Sequence, residues 1–206
     1  KFVFQSFKKR ASLAIVNKIQ KNLKNKHQIK VKNSLNFLTD SSKIFRKNIN
    51  VKIIAITGSC GKTTLKELLG KSLSKIFKVS ISPKSYNNKY GVPLSLFNLN
   101  QNDDYGILEV GMDKKGEIDY LSKIIQPDVS VITNINYAHA KNFKSINHIA
   151  LAKSEIINNT RTNGFVVLNA DDHFFKFHRN LALKKNLSVV SFGIKNQKSK
   201  GRYKTN

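Results

Sequence analysis

The sequence is poor in several residue types, and each shortage excludes a class of protein. It has one cysteine, Cys60, among 206 residues, so no disulfide within the chain can stabilise it. The longest apolar runs are only a few residues long, far short of the roughly 20 residues needed to cross a bilayer, so we expect no transmembrane helix. Acidic residues are also scarce, with 12 Asp and Glu against 37 Lys and Arg, which gives a net charge of +25.

Such a charge would ordinarily suggest binding to nucleic acid or to an anionic membrane surface. The lysines, however, are scattered through every segment together with many asparagines and isoleucines. The sequence also has no zinc-finger spacing, no aromatic RNA-binding signature and no arginine-rich arm, which are features of specific nucleic-acid binding. We therefore expect weak, salt-sensitive contacts with polyanions and no specific nucleic-acid partner.

From Val51 onward, short apolar runs alternate with helical patterns, which is typical of a parallel sheet covered by helices. Several runs are apolar without strict alternation, as expected for strands that are buried on both faces. The predicted fold is an α/β domain with three layers (α/β/α) and a mostly parallel sheet. The predicted strands are 51–56, 78–81, 105–110, 129–135, 165–169 and 187–192, and the predicted helices are 63–77, 92–99, 117–125, 146–158 and 172–184.

The residues on either side of this pattern differ from it. A stretch of mixed helical and strand character covers 7–16, and 34–45 form a predicted amphipathic helix before the first strand. The polar, basic tail 195–206 has no periodicity and is predicted to be disordered. We therefore predict an N-terminal segment at 1–33, a domain at 34–194, and the tail.

The strongest functional signal is the segment TGSCGKTT, which lies between an apolar strand and a helix. Its two glycines permit close approach of the backbone to phosphate oxygens. Its lysine supplies positive charge, the next hydroxyl suits magnesium, and the helix adds unpaired amides and a positive dipole end. Ile56 stands where a complete Walker A pattern requires glycine, so the loop matches a shorter form, TGxxGKT. The segment predicts nucleotide binding by Thr57, Gly58, Ser59, Cys60, Gly61, Lys62, Thr63 and Thr64.

Polar side chains also follow other predicted strands. Glu109 lies near the end of one strand, His139 follows the next, and Asn169 and Asp172 belong to the block LNADD at the end of a third. The carboxyl ends of parallel strands form the ligand-binding edge of such sheets, so Glu109 is a candidate magnesium ligand, and the LNADD residues are suited to contact a base or ribose. Taken alone, His139 is uninformative, and Lys153, within a predicted helix, is equally compatible with an ordinary surface lysine.

These blocks, together with NNKYGVPL at 87–94, occur in the order and approximate spacing of the central domain of the Mur ligases, which this sequence resembles over about 34–193. The blocks at 87–94 and 108–112 look most like the branch that adds D-alanyl-D-alanine. Upstream, 7–16 is similar to the end of the family's UDP-sugar-binding domain, with Arg10 in place of the usual glycine. The segment 1–33 is therefore interpreted as a remnant of that N-terminal α/β domain.

The resemblance implies an ATP-dependent, ADP-forming amide-bond ligase of peptidoglycan synthesis, located in the cytoplasm and expected to be a monomer. Its substrates would be UDP-N-acetylmuramoyl-tripeptide and D-alanyl-D-alanine, with ATP and Mg²⁺ as cofactors and an acyl phosphate as intermediate. The family also has a C-terminal domain that this chain does not reach. We therefore expect the chain to bind ATP but to lack full ligase activity.

The resemblance also implies roles for single residues. Lys62, Glu109, His139 and Lys153 would be catalytic, and Thr63, Glu109 and His139 would hold magnesium ions. Lys153 matches a lysine that is carbamylated in several Mur ligases, and its carbamate would help to hold a second cation.

Three further positions complete the carried-over site. Asn169 and Asp172 would lie near the adenosine, and Asn88 would face the substrate side of the cleft. The alternatives are another member of the superfamily, such as the ligase that adds the third amino acid or folylpolyglutamate synthetase, or a P-loop ATPase or switch. No G-x-S-x-G elbow or equivalent Cys/His arrangement is present in the sequence, so we predict no nucleophile-base triad.

Overall fold

The computed structural model describes residues 2–23, 27–137 and 142–195. His139 and all but the first residue of the predicted tail therefore lie outside the described residues. The chain divides into two compact units, Lys1–Ser41 and Ser42–Asn206. In the part of the chain that the structure describes, no helix combines the length and the apolar character needed to cross a membrane.

The first unit contains α1 (Phe2–Lys8), β1 (Ala14–Val16), β2 (Gln28–Lys30) and the beginning of α2 (Ser34–Lys47). Strands β1 and β2 pair in parallel. Helix α2 begins after Asn33, whose side-chain oxygen accepts hydrogen bonds from the amides of Leu35 (2.9 Å) and Asn36 (3.1 Å), a cap that satisfies amides in the first turn. The sequence pattern does not predict β2, because three residues are too few to show a period.

The second unit is a six-stranded sheet in which every neighbouring pair of strands is parallel, so the predicted parallel α/β fold is confirmed. The strands are β3 (Lys52–Thr57), β4 (Val79–Ile81), β5 (Tyr105–Glu109), β6 (Val129–Ile132), β7 (Phe165–Asn169) and β8 (Ser188–Phe192). The helices are α3 (Lys62–Leu73), α4 (Gly91–Phe97), α5 (Glu117–Ile125), α6 (Ile146–Asn158) and α7 (Phe175–Lys184).

The central strand, β3, shows why the domain has three layers. Successive side chains of a strand point to opposite faces of the sheet. Ile54 and Ile56 belong to a small apolar cluster that packs against leucines of α3. Ile53 and Ala55 belong to a larger cluster with buried residues of α4, α5, α6 and α7. Each face of β3 is therefore covered by helices, which explains its nearly continuous apolar sequence.

The order of the strands is β4-β5-β3-β6-β7-β8, so β3 lies between β5 and β6. The chain first builds the sheet on one side of β3, returns beside it with β5, and then continues on the other side with β6. This reversal is a topological switch point, and open α/β sheets bind ligands outside the carboxyl ends of the strands at that point. The loop after β3 therefore emerges between the ends of β5 and β6.

Two differences from the predicted boundaries arise at this same edge. Strand β6 ends at Ile132, three residues earlier than predicted, because the chain turns there toward the loop after β3. Helix α7 begins at Phe175 rather than at Asp172, because the Asp172 side chain accepts a hydrogen bond from the Phe174 amide (2.8 Å) in the turn that precedes the helix.

Candidate functional site

The predicted phosphate loop makes the turn from β3 to α3. Gly58 has φ 148°, and a Cβ atom there would lie 1.8 Å from Oγ1 of Thr133. Gly61 has φ 79° and immediately precedes the helix. Glycine is therefore required at Gly58 by space as well as by torsion, and it is favoured at Gly61 by torsion. Because α3 begins at Lys62, the amides of its first turn have no acceptor within the helix.

The segment 133–136, which follows β6, holds this loop in place. The Ser59 amide donates to the Asn134 carbonyl (2.9 Å), and the Cys60 amide donates to Oδ1 of Asn134 (3.0 Å). The Thr133 hydroxyl donates to the Cys60 carbonyl (2.7 Å), and the Ser59 hydroxyl donates to the Asn136 carbonyl (2.9 Å). The amides of Ser59 and Cys60 are thus already bonded within the protein, whereas those at the start of α3 have no acceptor within the helix.

The side chain of Lys62 contacts the loop that precedes it. Its ammonium group donates to the carbonyl of Gly58 (2.9 Å), so the side chain folds back along the turn. Cys60 is exposed and its thiol is free, and Thr64 is also exposed. The ammonium group of Lys62 and the first-turn amides of α3 lie within one short segment, an arrangement suited to binding phosphate.

Glu109, the last residue of β5, is 2% exposed and is held at both carboxylate oxygens. Oε2 accepts a hydrogen bond from the Thr63 hydroxyl (2.7 Å), and Oε1 accepts one from the side-chain amide of Asn87 (2.8 Å). The structure thus brings Glu109 to the phosphate loop, as the position at a strand end predicts. Asn87 belongs to the block NNKYGVPL, but that pattern alone gives no means of choosing it over its neighbour.

That neighbour, Asn88, has a different position. Its Oδ1 accepts hydrogen bonds from the amides of Tyr90 (3.1 Å) and Gly91 (3.0 Å), at the beginning of α4. The side chain is exposed. Its observed contacts therefore serve the turn into the helix, and its contact with substrate stays a prediction.

Lys153, on α6, is only 4% exposed, so the interpretation as an ordinary surface lysine is wrong. Burial, and to a lesser extent the positive charge of Lys62, lower the pKa of the Lys153 ammonium to about 7, while Cys60 acts in the opposite direction. Its Nζ forms no hydrogen bond or ion pair among the described residues. At neutral pH a large fraction of Lys153 is therefore the uncharged amine, close enough to Lys62 to interact with it.

Asn169 is the last residue of β7 and Asp172 follows shortly after it, and both side chains bond to backbone amides. The Asn169 side-chain oxygen accepts from the amide of Asp171 (3.0 Å). Asp172 reaches further, because its Oδ2 accepts from the amide of Ile135 (2.7 Å). Ile135 lies within the segment that holds the phosphate loop, so Asp172 connects the end of β7 to that segment.

The structure thus brings the adjacent residues Lys62 and Thr63 together with Glu109, and Lys153 is close enough to interact electrostatically with Lys62, while His139 lies outside the described residues. Within 2–23, 27–137 and 142–195, no group of three or more His, Cys, Asp or Glu side chains could hold a metal ion. The hydroxyl of Thr63 and the carboxylate of Glu109 are nevertheless hard oxygen ligands in contact with each other, and magnesium needs only one or two protein ligands when phosphates and water supply the others.

Known proteins share this architecture. The chain is 38% identical over 199 residues to the UDP-N-acetylmuramoyl-tripeptide--D-alanyl-D-alanine ligase of Buchnera aphidicola (subsp. Acyrthosiphon pisum, strain APS), a match that covers 96% of this chain and 42% of the relative. A crystal structure of MurF from Acinetobacter baumannii superposes with a TM-score of 0.83 at 36% identity, covering 93% of this chain and 42% of that one. MurF ligase from Thermotoga maritima in complex with ADP has a TM-score of 0.81 at 28% identity, covering 95% and 44%.

The chain therefore spans less than half the length of these relatives. A family profile described as the Mur ligase middle domain matches residues 56–206. This match includes the phosphate loop, Glu109 and Lys153, and it covers more than half of the sequence. The chain belongs to the Mur ligase family.

Proposed function

We propose that the protein carrying this chain is an ATP-dependent ligase that joins D-alanyl-D-alanine to UDP-N-acetylmuramoyl-tripeptide, and that this chain supplies its nucleotide and magnesium site. The observation that carries the proposal is the 2.7 Å hydrogen bond from Thr63 to Glu109, which joins the phosphate loop to a buried carboxylate on the neighbouring strand. The name of the Buchnera relative and the ADP complex of the Thermotoga protein support the substrates and the nucleotide.

The proposed reaction has two steps. A terminal carboxylate oxygen of the tripeptide attacks the γ-phosphorus of ATP, the bond from that phosphorus to the β,γ-bridging oxygen breaks, and ADP leaves. The amine of D-alanyl-D-alanine then attacks the acyl carbon, inorganic phosphate leaves, and the amine loses a proton. Because the reaction consumes ATP, we expect it to take place in the cytoplasm.

The residues of this chain would act by positioning and by neutralising charge, which are large contributions in phosphoryl transfer. Lys62 and the first amides of α3 would bind the β- and γ-phosphates. Thr63 and Glu109 would hold Mg²⁺, with His139 as a further proposed ligand. When bound, the ion would act as a Lewis acid that withdraws charge from phosphate oxygens.

Lys153 has the chemistry required for carbamylation. With its pKa lowered to about 7, the uncharged amine can attack the carbon of CO₂, forming an N–C bond and releasing one proton. The resulting carbamate is an anion beside Lys62, so it would relieve the repulsion between the two cations and help to hold a second metal ion. Incubation with ¹³C-bicarbonate would reveal this carbamate as a carbon resonance that Lys153→Met lacks.

The remaining substrate contacts are also proposals. Asn169 and Asp172 would lie beside the adenosine, since they are at the carboxyl end of β7, the same sheet edge as the phosphate loop. Asn88 would face the peptide substrate, because its turn lies next to Asn87, which contacts Glu109. The segment 1–33 would belong to a UDP-sugar-binding domain.

The direct test is nucleotide binding by Lys62→Ala. Titration calorimetry with ATP and Mg²⁺ should show at least about tenfold weaker binding, because a hydrogen bond to a charged group contributes about 1.5–3 kcal/mol. Lys71→Ala is the matched control, since Lys71 is an exposed lysine of the same helix. Equal affinities for the wild type and Lys62→Ala would refute the proposed phosphate site.

The choice of substrates needs a full-length protein that carries this chain. Phosphate release should require ATP, UDP-N-acetylmuramoyl-tripeptide and D-alanyl-D-alanine together. Release without any amine acceptor would instead indicate a P-loop ATPase or switch, and release with a single amino acid and a shorter nucleotide peptide would indicate the ligase that adds the third residue.

A further inference from the structure

Lys66 is a buried lysine that the phosphate site described above does not use. It lies in α3, one turn beyond Lys62, and it is fully buried. Lysine is almost never fully buried unless it is paired, because removing its charge from water is expensive. Its nearest carboxylate is Glu67, 3.3 Å away, which is itself nearly half exposed. That weak ion pair does not account for the burial of Lys66.

The main partners of Lys66 are backbone carbonyls. Its ammonium group donates to the carbonyls of Ser82 (2.7 Å) and Lys84. These residues follow β4, where the chain leaves the sheet, and Lys84 has φ 47°, an unfavourable torsion for a residue with a side chain. Among the described residues no backbone amide donates to these two carbonyls, so the ammonium group takes that role and holds the turn.

The turn held by Lys66 leads directly to Asn87. The side chain of Asn87 donates to Oε1 of Glu109, and its carbonyl accepts from the amide of Gly111 (2.8 Å). A Cβ atom on Gly111 would lie 2.9 Å from the Asn87 side chain, so the glycine leaves the space that this side chain occupies. The hydroxyl of Ser82 also accepts from the amide of Glu109 (3.3 Å). The segment 82–87 thus contacts Glu109 at both its backbone and its carboxylate.

Helix α3 consequently reaches Glu109 by two routes. Thr63 contacts Oε2 directly, whereas Lys66 acts through the turn and Asn87 on Oε1. We propose that Lys66 is a positioning residue for the magnesium ligand Glu109, holding the turn that orients this carboxylate toward the phosphate loop. This inference rests on the proposed function, since it requires Glu109 to bind Mg²⁺ beside a nucleotide.

The test separates the metal-dependent part of nucleotide binding from the rest. Lys66→Met keeps the approximate length of the side chain and removes its charge. In this variant the Mg²⁺ concentration needed for half-maximal ATP binding should rise about tenfold. That is the lower end of the loss seen when outer-shell partners of metal ligands are removed. ATP affinity in EDTA should stay within about threefold of the wild type, because Lys62 and the first turn of α3 are unchanged. Lys71→Met is the control for removing a lysine from α3.

A second variant tests the route through Asn87. Asn87→Ala keeps Lys66 and should produce the same Mg²⁺ shift, and the double variant should show no further shift, because both act on one carboxylate. Circular dichroism would verify folding. If Lys66→Met does not fold, the proposal is tested with Asn87→Ala and Lys66→Arg instead. A wild-type Mg²⁺ requirement in Asn87→Ala overturns the proposal.

Other outcomes are equally decisive. A folded Lys66→Met with the wild-type Mg²⁺ requirement overturns the positioning role. Equal losses in Mg²⁺ and in EDTA would show that Lys66 supports the whole loop rather than the metal ligand. Absence of ATP binding by the wild type would refute the proposed function itself. That result differs from normal ATP binding with an unchanged Mg²⁺ requirement in Lys66→Met, which refutes only the positioning role.

Discussion

At the scale of single residues, burial decides which of the many lysines has a special chemical role. The chain has 37 Lys and Arg residues, and their positions in the sequence do not separate the buried ones from the exposed ones. Lys153 and Lys66 are both buried on helices whose other faces meet solvent. They differ in their surroundings. Lys66 donates hydrogen bonds to two carbonyls. The pKa of Lys153 is lowered to about 7 by burial and by the charge of Lys62.

The lowered pKa of Lys153 predicts how stability depends on pH. The unfolded chain binds a proton at Lys153 up to about pH 10.5, whereas the folded chain releases it near 7. Stability should therefore rise between these values, by up to about 1.4 kcal/mol per pH unit from this group. Below pH 7 both states are protonated and the full destabilisation is present.

Lys153→Met removes this destabilisation. In CO₂-free buffer, urea unfolding should show the variant to be more stable than the wild type at pH 6, with an advantage that shrinks steadily by pH 9. A constant difference between the two proteins across this range would contradict the predicted protonation change. Lys71→Met again provides the exposed-lysine comparison.

At the scale of secondary-structure elements, the segment 133–136 after β6 is the support of the phosphate loop. It bonds to Ser59 and Cys60 on one side and to Asp172 on the other. The sequence predicts the strand and the loop separately, because each has a local pattern. Their contact is set by the parallel pairing of β3 with β6, which no local pattern encodes.

This connection gives Asp172 two separable roles. If it acts through the segment 133–136, Asp172→Ala should weaken binding of both ATP and inorganic tripolyphosphate, by up to roughly fivefold to 150-fold, the equivalent of the about 1–3 kcal/mol cost of leaving one amide unpaired. If it contacts adenosine instead, only ATP binding should weaken. Calorimetric titrations with the two ligands distinguish these outcomes, and unchanged affinity for both would exclude either role.

At the scale of the whole molecule, the net charge of +25 acts on every polyanion, whereas the phosphate site is local. An RNA oligonucleotide should bind at low salt and lose affinity by about a hundredfold or more between roughly 50 and 200 mM salt, because binding of this kind is driven by counterion release. Lys62→Ala should leave that binding unchanged while it weakens ATP binding. RNA binding that persists at high salt, or that depends on Lys62, would contradict this separation.

From Val51 onward, local patterns in the sequence are sufficient to predict the order of strands and helices and the place of the turn that carries TGSCGKTT. Both depend on short-range physics: the short, nearly continuous apolar runs of strands that are buried on both faces, and glycines that permit the torsions of the turn before α3. The segments 117–125, 146–158 and 165–169 are helices and a strand with the predicted boundaries.

Which side chains meet depends on the packing of segments that are distant in the sequence. Thr63 and Glu109 are 46 positions apart, and Asn87 and Glu109 are 22 apart, so their contacts depend on the order of strands in the sheet. The same packing buried Lys66 and Lys153 and gave Asn87, rather than Asn88, the contact with Glu109. A pattern in sequence records which residue types are available, but burial and charge interactions arise only when distant segments pack together.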